Sequence, residues 1–385
     1  MQCPNGTAFF LRKQQARCVH VTSSEKAIIM NYLSFIFYGT LAVSALSCQS
    51  QSDRDLRPWT AERTWQWYHP QPWLVGCNFT PSTAVNQLEM WQAETFDPGT
   101  IDRELGYAEK IGMNIVRVYL HDLAWTQDPT GFKARVDSFL TIANRHGIRA
   151  LPVFFDDCWN DNPQAGKQPD PIPGVHNSGW VKSPGSTVVN DSTSWERLEH
   201  YVKDILGSFG KDPRVALWDL YNEPGNGEQH AKSLPLLAKI FQWAREAAPS
   251  QPLTAGLWYD NAELNALQIA MSDVITFHNY GDSLSIAAQI AELKRHGRPI
   301  ICTEWLRRTG GSFPQTHLPI FKREDVGCIN WGLVSGKTQT VFPWGSERGT
   351  PEPEVWFHDL FRADGTPYDQ NEVAVFRTLT SRTER

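Results

Sequence analysis

Charge of one sign is scarce in this chain. Its 385 residues carry 36 Lys and Arg against 42 Asp and Glu, a formal net charge of −6. Such a balance argues against a protein that works mainly by gripping phosphate backbones. Charged residues make up 20 % and apolar residues 41 %, which allows a buried core and excludes wholesale disorder. Cysteine is sparse as well, at positions 3, 18, 48, 77, 158, 302 and 328. No two stand as Cys-x-x-Cys, which argues against a zinc site. Cys77, Cys158, Cys302 and Cys328 lie in or beside strand-like runs and read as buried free thiols. A disulfide is open to an exported chain but cannot be assigned from spacing. No repeat of fixed period and no interdomain linker is visible.

Long apolar runs are limited to one, Ala27 to Leu46, followed by Ser47-Cys48-Gln49-Ser50. An apolar stretch, small residues and then polar ones is the layout of an export signal. Cys48 after Ala45-Leu46-Ser47 resembles a bacterial lipoprotein box, in which that Cys is lipidated and begins the mature chain. With Met30 as the true start, residues 1–29 are an extension ahead of it, residues 30–50 are the signal, and 58–385 are the folded domain. The expected location is then the periplasm or outer membrane, with attachment through a lipidated Cys48. A retained membrane anchor is the competing reading, which the length of the run allows.

What the chain has in excess is tryptophan, 16 residues beside 10 Tyr and 19 Phe. Indoles pack cores, and they also stack on flat sugar faces while offering a ring N–H. From about residue 70, eight short apolar runs alternate with amphipathic segments. The runs are 73–78, 114–120, 149–155, 215–221, 253–258, 274–278, 299–303 and 327–331. The helical segments are 101–111, 132–146, 195–209, 233–247, 262–271, 284–296, 314–322 and 371–379. This alternation predicts an α/β fold, a single (β/α)8 TIM barrel, with parallel strands covered on both faces. Two long insertions, 156–192 after the third strand and 332–368 after the eighth, then fall on the C-terminal face. Barrel enzymes build their sites there. Trp159, Trp180, Trp344 and Trp356 lie in these loops.

Two strands end in a carboxylate. The fourth runs Trp218-Asp219-Leu220-Tyr221-Asn222-Glu223 into Pro224-Gly225, and the seventh ends Cys302-Thr303-Glu304-Trp305. Strands four and seven stand on opposite sides of a barrel mouth, so Glu223 and Glu304 should face each other across it. Opposed carboxylates about 5 Å apart are the machinery for cleaving a glycoside with retention of configuration. One protonates the leaving oxygen and the other attacks the anomeric carbon.

On these residues the sequence resembles the clan-A glycoside hydrolases, in particular the cellulase and mannanase group of family five. The resemblance spans about residues 70–380. It implies that Glu223 of Asn222-Glu223-Pro224 is the acid/base and Glu304 the nucleophile. It also implies that Asn222 binds the sugar 2-hydroxyl, that Arg117 supports the nucleophile, that His278 and Tyr280 form the sixth-strand His-x-Tyr pair, and that Trp331 stacks under the reacting sugar. Arg117 and Tyr280 would favour a charged Glu304, and Glu223 would keep a raised pKa and its proton. Where relatives often show a His after the third strand, this chain reads Asp156-Asp157-Cys158-Trp159. Asp156 and Asp157 are sugar-binding candidates or loop caps, or with Asp161 a calcium site without a known loop spacing. Asn78, Trp159 and Trp258 are further subsite candidates.

The expectation is an exported hydrolase of β-linked oligo- or polysaccharide with a carbohydrate partner only, no nucleic acid, no cofactor and no metal. The rivals are a surface lipoprotein that binds glycans without cleaving them, a transglycosylase using the same residues, and a metal-dependent hydrolase.

Overall fold

The computed structural model describes residues 56–381. The stretch expected to be an export signal, with Cys48, lies outside the described residues. Eight parallel strands make one sheet: β1 (Val75–Asn78), β2 (Ile115–Tyr119), β3 (Arg149–Asp156), β4 (Trp218–Asn222), β5 (Leu253–Thr254), β6 (Ile275–His278), β7 (Ile300–Glu304) and β8 (Gly327–Asn330). They run side by side in the order β5-β4-β3-β2-β1-β8-β7-β6. The β5–β6 seam is closed by a single bridge, in which Leu257 N donates to Thr276 O at 2.9 Å and His278 N to Leu257 O at 2.8 Å. The result is the expected (β/α)8 barrel, with β5 shorter than its sequence run.

Helices follow the strands because the sequence starts them firmly. Asp97-Pro98 opens helix Pro98–Lys110 and Asp128-Pro129 opens Pro129–Arg145, each Asp accepting from a backbone N–H of the first turn. Their apolar faces and the outward residues of the strands form the main core. Inside the barrel floor, Ile115, Leu151, Leu217, Val274, Ile301 and Ile329 pack together. The helix Ala61–Tyr68 covers that end, with Tyr68 in the same cluster and Trp65 and Trp67 against it.

Both long insertions lie beyond strand C-terminal ends and are joined to each other. Asn177 N donates to Thr338 O at 2.9 Å, and Gly349 N to Pro173 O at 2.8 Å. His176 Nδ1 meets Phe342 O at 2.7 Å, and Gln339 reaches Ile172, Gly174 and Val175. Since β2 and β1 stand between β3 and β8, the joined loops rise as a wall over that arc of the mouth.

Candidate active site

The mouth opens into a cavity of about 1080 Å³. Glu223 and Glu304 both line it, from β4 and β7. A carboxylate oxygen of each and a ring nitrogen of His278 lie within 4.8 Å of one another. This is the spacing of a metal site as well as of a carboxylate pair, but the groups are already engaged by the protein.

Glu304 is held from three sides. Its Oε1 accepts from Arg117 Nη1 at 2.7 Å and from the Tyr119 hydroxyl at 2.8 Å, and its Oε2 from the Tyr280 hydroxyl at 2.8 Å. Burial and the neighbouring carboxylates push the Tyr280 hydroxyl well above its ordinary pKa, so it stays a donor. Arg117 is fully buried and also reaches Asp219, Asn78 and Asn222.

Glu223 sits at the first position past β4 with φ of +43°, a backbone conformation that side-chain-bearing residues adopt at a cost. The turn is pinned: Asn226 N donates to Glu223 O at 3.0 Å, and Gly225 N to Asp157 at 2.8 Å. The Glu223 carboxylate accepts from His278 Nδ1 at 2.8 Å, from Asn226 Nδ2 at 2.7 Å and from the Cys158 thiol at 3.1 Å. A register shift between β6 and β7 sets His278 beside Glu304 rather than Thr303. His278 Nε2 is buried without a partner, and Nδ1 is the ring nitrogen that faces the Glu223 carboxylate.

This corrects the expected raised pKa of Glu223. Burial does push its carboxyl up, but the hydrogen bond and charge of His278, with the donors Cys158 and Asn226, outweigh burial and hold it below its ordinary value.

The family model for cellulase (glycosyl hydrolase family 5) matches residues 81–336. The chain belongs to glycosyl hydrolase family 5. It is a glycoside hydrolase acting on β-linked glycans. Among solved structures, a variant of GH5_18 from Streptomyces cattleya in complex with Manβ1-4GlcNAc matches with a TM-score of 0.56 at 13% identity, over 82% of each chain. The β-1,4-mannanase of the sea hare Aplysia kurodai matches with a TM-score of 0.51 at 15% identity, over 68% of this chain and 88% of that one. The exo-β-1,4-mannosidase Op5Man5 from Opitutaceae bacterium strain TAV5 matches with a TM-score of 0.54 at 16% identity, over 80% of this chain and 60% of that one. At these identities the likeness is one of fold. No curated protein matches the sequence.

Of the sequence candidates in this family-5 hydrolase, Glu223, Glu304, Asn222, His278, Tyr280, Trp331, Trp159 and Trp258 all line the cavity. Trp159 is 40% exposed there, and Trp331 stands edge-on to Tyr119 and Trp180. Four candidates lie off the cavity wall. Arg117 is buried beneath Glu304. Asn78 donates to Thr303 O and Asn330 O and accepts from Arg117, so its amide is fully used inside the barrel. Asp156 accepts from Trp180 Nε1, Asn222 Nδ2, Cys158 N and Gln87 Nε2, and holds Asn222 in place. Asp157 accepts from Tyr221, Ser233 and Gly225 and fixes the turn that carries Glu223. Nor do Asp156, Asp157 and Asp161 converge as a calcium site, since Asp161 accepts instead from Ser186 N and Asn162 N.

The sequence reading missed Tyr119, Asn226 and Asn177. Tyr119 is two positions after Arg117 on one strand, so both side chains point the same way, and that period was a usable signal. Asn177 lines the cavity with both amide atoms buried and unpartnered, a state that a sugar hydroxyl would relieve. Of the loop indoles, Trp344 is 42% exposed on the wall, whereas Trp356 is buried on Tyr368.

Proposed function

We propose that the enzyme cleaves its β-glycoside by double displacement with retention, Glu304 acting as nucleophile and Glu223 as acid/base. The observation that supports this most is the carboxylate pair within 4.8 Å at the ends of β4 and β7, over one cavity. Retaining enzymes use a separation of roughly 5 Å, whereas inverting ones leave room for a water at about 6.5–9.5 Å.

The environments divide the roles. Glu304 faces a cation and two hydroxyl donors, which suits a group that must attack as an anion. Glu223 has no permanent cation against it. A bound sugar excludes water, which strengthens the burial that already opposes the charge of Glu223, and the nearby Glu304 anion opposes a second negative charge. Glu223 therefore takes up its proton as the complex forms. Glu304 then attacks the anomeric carbon, the glycosidic bond breaks, and the proton of Glu223 goes to the leaving oxygen. With Glu304 esterified its repulsion vanishes, and Glu223 accepts a proton from water as that water displaces the ester. Asn222 Nδ2 gives one hydrogen to Asp156 and the other only to the weakly accepting Cys158 sulfur at 3.3 Å. That second hydrogen is the one free to turn to the sugar 2-hydroxyl.

Structural neighbours named as mannanases and mannosidases make β-mannosides the first substrates to try. The test is turnover of aryl β-glycosides with NMR of the first-formed anomer. Glu304→Ala should cut kcat by about 10⁴-fold or more. Glu223→Ala should spare activated leaving groups and be rescued by azide with a β-glycosyl azide product. Full turnover by Glu304→Ala, or an inverted first product, would sink the mechanism.

A further inference from the structure

Three buried arginines in this protein are matched to carboxylates: Arg117 to Asp219 and Glu304, Arg245 to Asp273, and Arg308 to Glu372. Arg307 is different. It follows Glu304 by three residues, and among the described residues it is the only Lys or Arg on the cavity wall. Among those residues no carboxylate lies within ion-pair distance of its guanidinium, and its Nε is buried without an acceptor. A buried donor on a cation left without a partner is costly, and the cost is recovered when an acceptor arrives.

The guanidinium is nevertheless held in place. Its carbon lies 5.5 Å from the ring centroid of Trp344, and a Cβ built on Gly310 would fall 2.2 Å from its Nε. Gly310 thus leaves room for the plane and the indole packs near it, contacts that leave hydrogen-bonding edges of the guanidinium unused. Trp344 in turn meets Tyr280 edge-on with ring centroids 5.0 Å apart, and Tyr280 donates to Glu304. The unpaired cation therefore shares one cavity with the reacting carboxylates, and the other fixed charges there are acidic.

We propose that Arg307 receives an anionic substituent of the glycan, a carboxylate or a sulfate, and that the natural substrate is an acidic β-linked glycan. A planar fork with its donors free matches either group in bidentate fashion. The charge also draws such chains towards a mouth whose catalytic pair would otherwise repel them. This deepens the hydrolase reading above and rests on it.

The probes are a β-linked oligosaccharide bearing one glucuronate, the same compound with that carboxyl reduced to the alcohol, and the neutral compound carrying one sulfate ester. For the native enzyme, kcat/KM for one acidic member should exceed that of the neutral one by about tenfold or more. Which acidic member leads distinguishes carboxylate from sulfate. Arg307→Gln should erase that ratio, Arg307→Lys should restore part of it, and Gly310→Ala, which displaces the guanidinium, should reduce it. A native enzyme without preference for either acidic member, or without turnover of both, overturns the proposal. So does an Arg307→Gln variant that loses equally on charged and neutral probes. Glu304→Ala run beside these reports separately on the hydrolase reading, since it should abolish turnover of every probe whatever Arg307 does.

Discussion

Arg117 shows how much one side chain can organise. It is fully buried and joins β2 to Asn78 of β1, to Asp219 and Asn222 of β4 and to Glu304 of β7. Its role in support of Glu304 was implied by the family resemblance carried on Val-Arg-Val, and a buried cation does need an anion. The partners Tyr119 and Asp219 were not, since tyrosine in a barrel strand reads as packing. Cys158 reads from sequence as a buried free thiol, which it is, and its contact with Glu223 depends on a loop path that no local pattern encodes. That contact has a measurable consequence. The thiol donates to the ionised carboxylate and so helps hold the pKa of Glu223 down. Cys158→Ala removes the donor, the pKa of the acid/base rises, and the proton needed for catalysis persists to higher pH. The alkaline limb of kcat/KM against pH should move upward, while the acid limb stays within experimental error. An unmoved or lowered alkaline limb would show that the thiol does not act on Glu223.

At the level of strands and helices the chain was readable because its signals are redundant. The eight strands were mainly apolar runs, and several helices began at Asp-Pro, Asn or Asp caps. The exception is β5, where pairing stops at Thr254 and resumes only at Leu257. Gly256 lies in that gap, and a Cβ there would stand 3.2 Å from His278 Nε2. Backbone approach of this kind leaves no periodic trace. Gly76 in β1 is a sharper instance. It pairs with Ile115, and an added Cβ would fall 1.7 Å from the Ile115 carbonyl oxygen. Gly76→Ala must therefore part β1 from β2, and the loss should be about 2 kcal/mol or more. Denaturant titration checks this, and an alanine variant as stable as the parent would contradict the register.

For the molecule as a whole, buried acids set the response of stability to pH. Asp156 is pushed up to about 7, and Asp157 and Asp359 to about 6, in each case chiefly by burial. Unfolded aspartates titrate near 3.9. Between those values the folded chain holds protons that the unfolded chain has released. Stability from these groups is thus full below about pH 4 and declines as pH rises through about 6 to 7. Asp359→Asn keeps an oxygen for the Thr340 hydroxyl, which donates at 2.8 Å, and removes the titration. The melting temperature of that variant should fall less between pH 4 and 7 than the parent's. An identical slope would mean that Asp359 does not titrate in this range.

The joined insertions carry the last consequence. Neither loop's path could be read from its composition, because their order comes from single bonds across the mouth such as Asn177 to Thr338. If the joined loops over β1 and β2 stop the cleft on that side, a long polymer enters it by its tip. We expect digestion to nibble chain ends, so that the viscosity of a polysaccharide solution lags behind the release of small sugars. A rapid early collapse of viscosity would mean that chains can lie straight across the barrier.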